Sequence, residues 1–156
     1  MKLRARALAV LPLGGPALLV PAQTPSAASL SLPLVSTCTA ADTIAPSGAS
    51  SLTTVGTSAC SNLLAQQATT SIELLPPIPV VNLGVPLSTS SASCTACTAL
   101  VGRDSATVLP VSGLTYQGSF VDTITAPAGS TFLPTPGCTT TTPNVLVCTA
   151  TSTYTY

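Results

Sequence analysis

Six cysteines constrain this chain more than any other feature: Cys38, Cys60, Cys94, Cys97, Cys138 and Cys148. All lie beyond an N-terminal stretch with the layout of an export signal, and an even cysteine number in an exported chain is expected to form disulfides, here three. The signal is read from Lys2, Arg4 and Arg6 followed by an apolar run over residues 7–20. Pro12 and Pro16 interrupt that run, which is short for a membrane span of roughly 20 residues. Cleavage after Ala22 or after Ala28 satisfies the small-residue rule, and we take residues 1–28 as the signal and residues 29–156 as a single β domain.

One of the three pairings follows from local geometry. Four threonines follow Cys138, then Pro143-Asn144, then Val145-Leu146-Val147 before Cys148, the pattern of two strands around a turn. With a loop of Thr142-Pro143-Asn144, Thr141 faces Val145 and Cys138 falls opposite Cys148. Opposed residues of an antiparallel pair lie roughly 4.5 to 5.5 Å apart, which a disulfide tolerates. The remaining four stay open: Cys94 pairs with Cys97, or each reaches back to Cys38 and Cys60.

The Cys94-Thr95-Ala96-Cys97 motif would suggest zinc or redox chemistry in a cytosolic chain. Here there is no histidine and no second CxxC to complete a zinc site, and only Arg103 lies nearby in sequence to lower a thiol pKa. In an exported chain a structural staple is the preferred reading.

Charge narrows the partners. Without the signal, Arg103 stands alone against Asp42, Glu73, Asp104 and Asp122, a formal charge of 1 − 4 = −3. A single arginine cannot supply the many phosphate contacts that nucleic-acid binding needs. The expected partners are copies of the chain itself, other surface proteins, or glycans. No later stretch is long and apolar enough for a transmembrane segment.

Strand signals dominate the chain. Leu30, Leu32 and Leu34 alternate with polar or proline positions, and short runs parted by Gly, Pro and Asn turns follow Val101, at residues 106–111, 114–116, 119–124, 145–148 and 149–156. Residues 61–70 (SNLLAQQATT) are the one candidate helical turn, with Ser61 as N-cap. The segment 76–86, carrying Pro76, Pro77, Pro79 and Pro86, suits an edge or an extended connector. The expected fold is therefore all-β: a small, disulfide-braced antiparallel β-sandwich with at most one short helix. Aromatics are scarce, with no Trp, two Phe and three Tyr, so its core must be aliphatic and thin. Tyr154 and Tyr156 would share one sheet face, where Tyr116 could join them.

Val121-Asp122-Thr123-Ile124, then Ala126-Pro127-Ala128-Gly129-Ser130-Thr131-Phe132-Leu133, then the hairpin from Cys138 to Cys148 together resemble the immunoglobulin-like repeat found in tandem on bacterial surface proteins. That pattern runs Asp-Thr-apolar, Pro-Ala-Gly, an aromatic strand and a late cysteine hairpin. The resemblance spans residues 121–148, with an extra residue before Pro127. It implies an immunoglobulin-like sandwich with an adhesive or spacer role, and it carries no catalytic residue across.

No catalytic, cofactor-binding or metal-ligating set can be assembled from these residues. Asp42-Thr43 and Asp122-Thr123 are similar to the paired loops of aspartic proteases, but each is followed by Ile where a Gly would shape the loop, and both read as surface or turn aspartates. Serine and threonine hydroxyls need an adjacent base, and beyond the signal there is neither His nor Lys. The segment Thr139 to Pro143 could accept O-linked sugar, but a plain β-hairpin strand is the preferred reading. The functional expectation is a secreted, non-enzymatic structural or adhesive component of a bacterial cell surface or extracellular matrix. The alternative is a binding module for a glycan or small apolar ligand, and more remotely a carboxylate-dependent hydrolase.

Overall fold

A computed structural model describes residues 33–76 and 84–156. The signal expected at residues 1–28, Leu30 and Leu32 of the alternating stretch, and Pro77 and Pro79 of the proline-rich segment lie outside the described residues. Within them the chain is all-β: β1 (Val35–Ser36), β2 (Cys38–Gly48), β3 (Ser51–Leu75), β4 (Val85–Thr107), β5 (Thr115–Thr125), β6 (Thr131–Phe132), β7 (Cys138–Thr142) and β8 (Val145–Thr155). A two-residue parallel pairing joins β1 to β6. The other six strands form one antiparallel sheet in the order β2-β3-β5-β8-β7, with β4 on the remaining edge of β3.

β3 organises the sheet. At roughly 3.3 Å per residue a straight strand of its 25 residues would run about 80 Å, far longer than a domain of this size is wide. It bends instead. Its pairing with β4 shifts register between Ala59 and Leu64 and again between Leu64 and Gln66. Across the bend its other edge changes partner, from β2 along Ser51 to Cys60 to β5 along Ala65 to Leu75. The first half of β3, with β2 and the end of β4, thus turns over to face its second half with β5 and β8. β2 packs on β8 without pairing to it. A Cβ on Gly56 would strike the ring of Phe120 from the facing half, and one on Gly102 would strike Thr70 Oγ1.

Parity explains how one strand serves both halves. Leu52, Thr54, Gly56, Ser58 and Cys60 point inward before the bend, and Leu64, Gln66, Ala68, Thr70 and Ile72 after it, so the even face of β3 lines the interior throughout. This corrects the helical reading of residues 61–70, which are continuous strand. Ser61 caps no helix; its Oγ accepts the Thr37 backbone N–H at 3.1 Å, and its own N–H donates to Thr37 O at 2.9 Å.

Several short runs also merge into longer strands. Residues 114–116 and 119–124 fall largely within β5, and 145–148 with 149–156 within β8, each 11 residues long. The last hairpin is tighter than expected: Cys138 does pair with Cys148, but Thr142 opposes Val145 and the register slips at Thr141, leaving Pro143-Asn144 as a two-residue turn. Pro86 lies opposite Glu73 on β4, whose outer edge has no partner among the described residues, the kind of edge strand on which proline is tolerated.

Candidate functional site

The inward positions of β5, read in order, are Tyr116, Gly118, Phe120, Asp122 and Ile124, and they alternate apolar with small or polar. The interior is layered accordingly. Tyr116 joins Leu52, Ile72 and Val108 in one apolar cluster, Phe120 joins Ala68 and Leu100 in a second, and Ile124 joins Leu64, Leu146 and two disulfides in a third. Tyr116, Tyr154 and Tyr156 do gather at the first cluster, with edge-to-face ring pairs at 6.0 Å and 5.1 Å.

Between the first and second clusters, above Gly118, lies a hydroxyl–carboxylate group. Thr54 Oγ1 donates to Asp42 Oδ1 at 2.9 Å, and Ser152 Oγ donates to Asp42 Oδ2 at 2.6 Å. A Cβ on Gly118 would lie 2.6 Å from that same Oδ2, so glycine makes room for the carboxylate. Between the second and third clusters, Ser58 Oγ donates to Gln66 Oε1 at 2.7 Å, and Gln66 Nε2 donates to the Cys97 carbonyl at 3.0 Å. Asp122 belongs to this layer and is fully buried. Burial pushes its pKa up, opposed more weakly by the Ser58 hydroxyl and the Gln67 backbone, and neither of its oxygens has a well-formed hydrogen bond among the described residues. On β4, Ser88 Oγ donates to Asp104 Oδ2 at 2.6 Å.

Asp42 and Asp122 are thus not surface or turn aspartates, as the sequence suggested, but inward-facing strand residues. The Asp42 oxygens are occupied by Thr54 and Ser152, and no hydrogen bond links the two carboxyls. Among the described residues no group of three or more His, Cys, Asp or Glu is placed to hold a metal ion.

All six cysteines are bridged. Cys38 pairs with Cys60 across β2 and β3, Cys138 with Cys148 across β7 and β8, and Cys94 with Cys97 within β4, at Cα separations of 4.1, 4.0 and 6.2 Å. Of the alternatives left open for the first four cysteines, the local one holds. The sequence contained a signal for Cys38–Cys60 as well. Strands on either side of the turn at Ala49-Ser50 place Cys38 opposite Cys60 by the same reasoning that pairs Cys138 with Cys148.

The feature most open to a partner is β4. Among the described residues its 23 residues pair along one edge only. Val85, Leu87 and Val101 on it are 58%, 40% and 51% exposed, and Arg103 is its one outward charge. Beside it, Gln67, Cys94, Thr123 and Thr125 border an open groove of about 330 Å³, and Leu74, Leu87, Val108, Leu109 and Tyr116 border an apolar recess of about 150 Å³. Among the described residues no helix is long and apolar enough to cross a membrane. Comparison with family models, with curated proteins and with solved structures finds no match for the chain.

Proposed function

We propose that the protein acts by contact and not by catalysis, as a secreted structural or adhesive component of a bacterial cell surface or extracellular matrix. The observation that carries this reading is the outer edge of β4, which has no partner among the described residues. Proteins ordinarily guard such an edge with lysines, prolines or a covering element, because open N–H and C=O groups template pairing with another chain. β4 has Pro86 near one end and Arg103 near the other, and between them only serine, threonine, alanine, cysteine and small or aliphatic residues apart from the paired ladder on β3. Three disulfides are consistent with an oxidising compartment. An immunoglobulin-like repeat is the architecture this role implies. In support, Val121 to Ile124 lie in β5, Pro127-Ala128-Gly129 form a turn with Gly129 at φ 83°, and the cysteine hairpin is β7 and β8.

Localisation of the native protein, followed by sedimentation of the purified domain, tests the role. Retention at the surface, or concentration-dependent assembly that Ser91→Lys with Val101→Lys abolishes while the circular dichroism stays unchanged, supports it. The rival binding module would use the 330 Å³ groove, whose size suits a small ligand and whose border is amide and hydroxyl. A freely diffusing monomer with saturable affinity for one glycan or small apolar ligand defeats the contact role and favours that reading.

A further inference from the structure

The three disulfides occupy different surroundings. Cys38, Cys60 and Cys148 are buried in one apolar cluster with Leu64, Ile124 and Leu146, Cys38 and Cys148 both 0% exposed, and half-buried Cys138 packs against it. A thiolate can reach the Cys38–Cys60 bridge only after the facing halves of the sheet separate, and the Cys138–Cys148 bridge only from the Cys138 side. Cys94 and Cys97 are half-buried on the open edge strand, with Ser93, Thr95, Ala96 and Thr98 exposed around them. Cys94 borders the open 330 Å³ groove. Closing so short a loop also contributes least to stability, with a sequence separation of 3 against 10 between Cys138 and Cys148 and 22 between Cys38 and Cys60. The fold therefore loses little when this bridge opens.

We propose that Cys94–Cys97 is a thiol–disulfide exchange site for small-molecule thiols, with Cys94 as the sulfur attacked and Cys97 as the resolving thiol. The incoming thiolate donates its electron pair to Cys94 Sγ, forming a mixed disulfide. The Cys94–Cys97 bond breaks, and its pair leaves on Cys97 Sγ, which takes a proton from water. Two outcomes follow. Cys97 attacks Cys94 Sγ, expels the small thiol and restores the bridge; or a second small thiol attacks the sulfur of the first, releasing the small disulfide and leaving Cys94 and Cys97 reduced by two electrons. The Cys97 backbone does not drift in the interval, because its carbonyl stays bound to the buried Gln66 amide, itself held by Ser58. The groove is bordered by Gln67, Ser93, Thr123 and Thr125 and carries no charge, so it admits a thiol without demanding a charged one. Exchange here requires neither assembly through β4 nor unfolding.

The test exposes the folded protein to glutathione, quenches at intervals with iodoacetamide, and maps each cysteine by peptide mass spectrometry while circular dichroism follows the fold. The expected result is one glutathionyl group on Cys94 with alkylated Cys97, appearing roughly tenfold or more faster than modification of any other cysteine and without loss of strand signal. A Cys94→Ser/Cys97→Ser variant keeps the fold and takes no adduct. Adducts arising first on another pair, the first adduct on Cys97, or no adduct until the strand signal collapses, would each overturn the proposal.

Discussion

Phe120 is the residue on which the facing halves meet. Its ring fills the space that side chains at Gly56 and Gly102 would otherwise claim, and it is fully buried. Phe120→Ala is expected to cost about 3–5 kcal/mol through the cavity it leaves, read as a lowered urea midpoint with unchanged slope. Gly56→Ala forces a Cβ onto the same ring and should cost about 1–3 kcal/mol, part of which Phe120→Leu should restore in the double variant. Asp122 makes a prediction of opposite sign. Its folded-state pKa is raised above the unfolded value, so the stability tied to its protonated form is fully present below the unfolded carboxylate pKa and is lost as pH rises through the folded one. Asp122→Asn removes the charging step and should raise the neutral-pH melting temperature and flatten its pH dependence between acid and neutral; thermal melts across that window check both.

At the scale of elements, β3 shows why some of the fold was legible and some was not. Strand character was plain where apolar residues run together after a turn, as in Val145-Leu146-Val147. It was hidden across residues 61–70, where Gln66 and Thr70 point inward while Leu63 is 64% exposed, so hydropathy there mimicked a helical turn. What fixes that stretch as strand is non-local pairing to β4 and β5, which no window of local sequence contains. The Cys138–Cys148 hairpin was more legible, because a short turn between two cysteines sets their register locally, whereas the pairing of Cys38 stayed open across a longer separation. Cys38→Ser with Cys60→Ser should lose about 3 kcal/mol and loosen β2 first, seen as faster amide exchange over Cys38 to Gly48 than in β5.

For the whole molecule, composition pointed to the class correctly, an all-β fold with covalent staples, because a chain with two Phe, three Tyr and no Trp has little apolar bulk to bury. It gave no hint that acidic side chains would be interleaved with the apolar clusters, since Asp42, Asp104 and Asp122 read as surface residues by type alone. Nor did it single out β4, whose importance comes from topology: the strand is long, ends the sheet, and has no neighbour on its outer side among the described residues. The contact role stands or falls on that edge. Hydrogen–deuterium exchange measured on the dilute protein and again on concentrated or surface-retained protein tests it most directly. The account predicts that amides of β4, from Val85 to Thr107, gain protection on association while those of β5 do not change; unchanged exchange along β4 in an associated sample, with protection appearing elsewhere or nowhere, would contradict it.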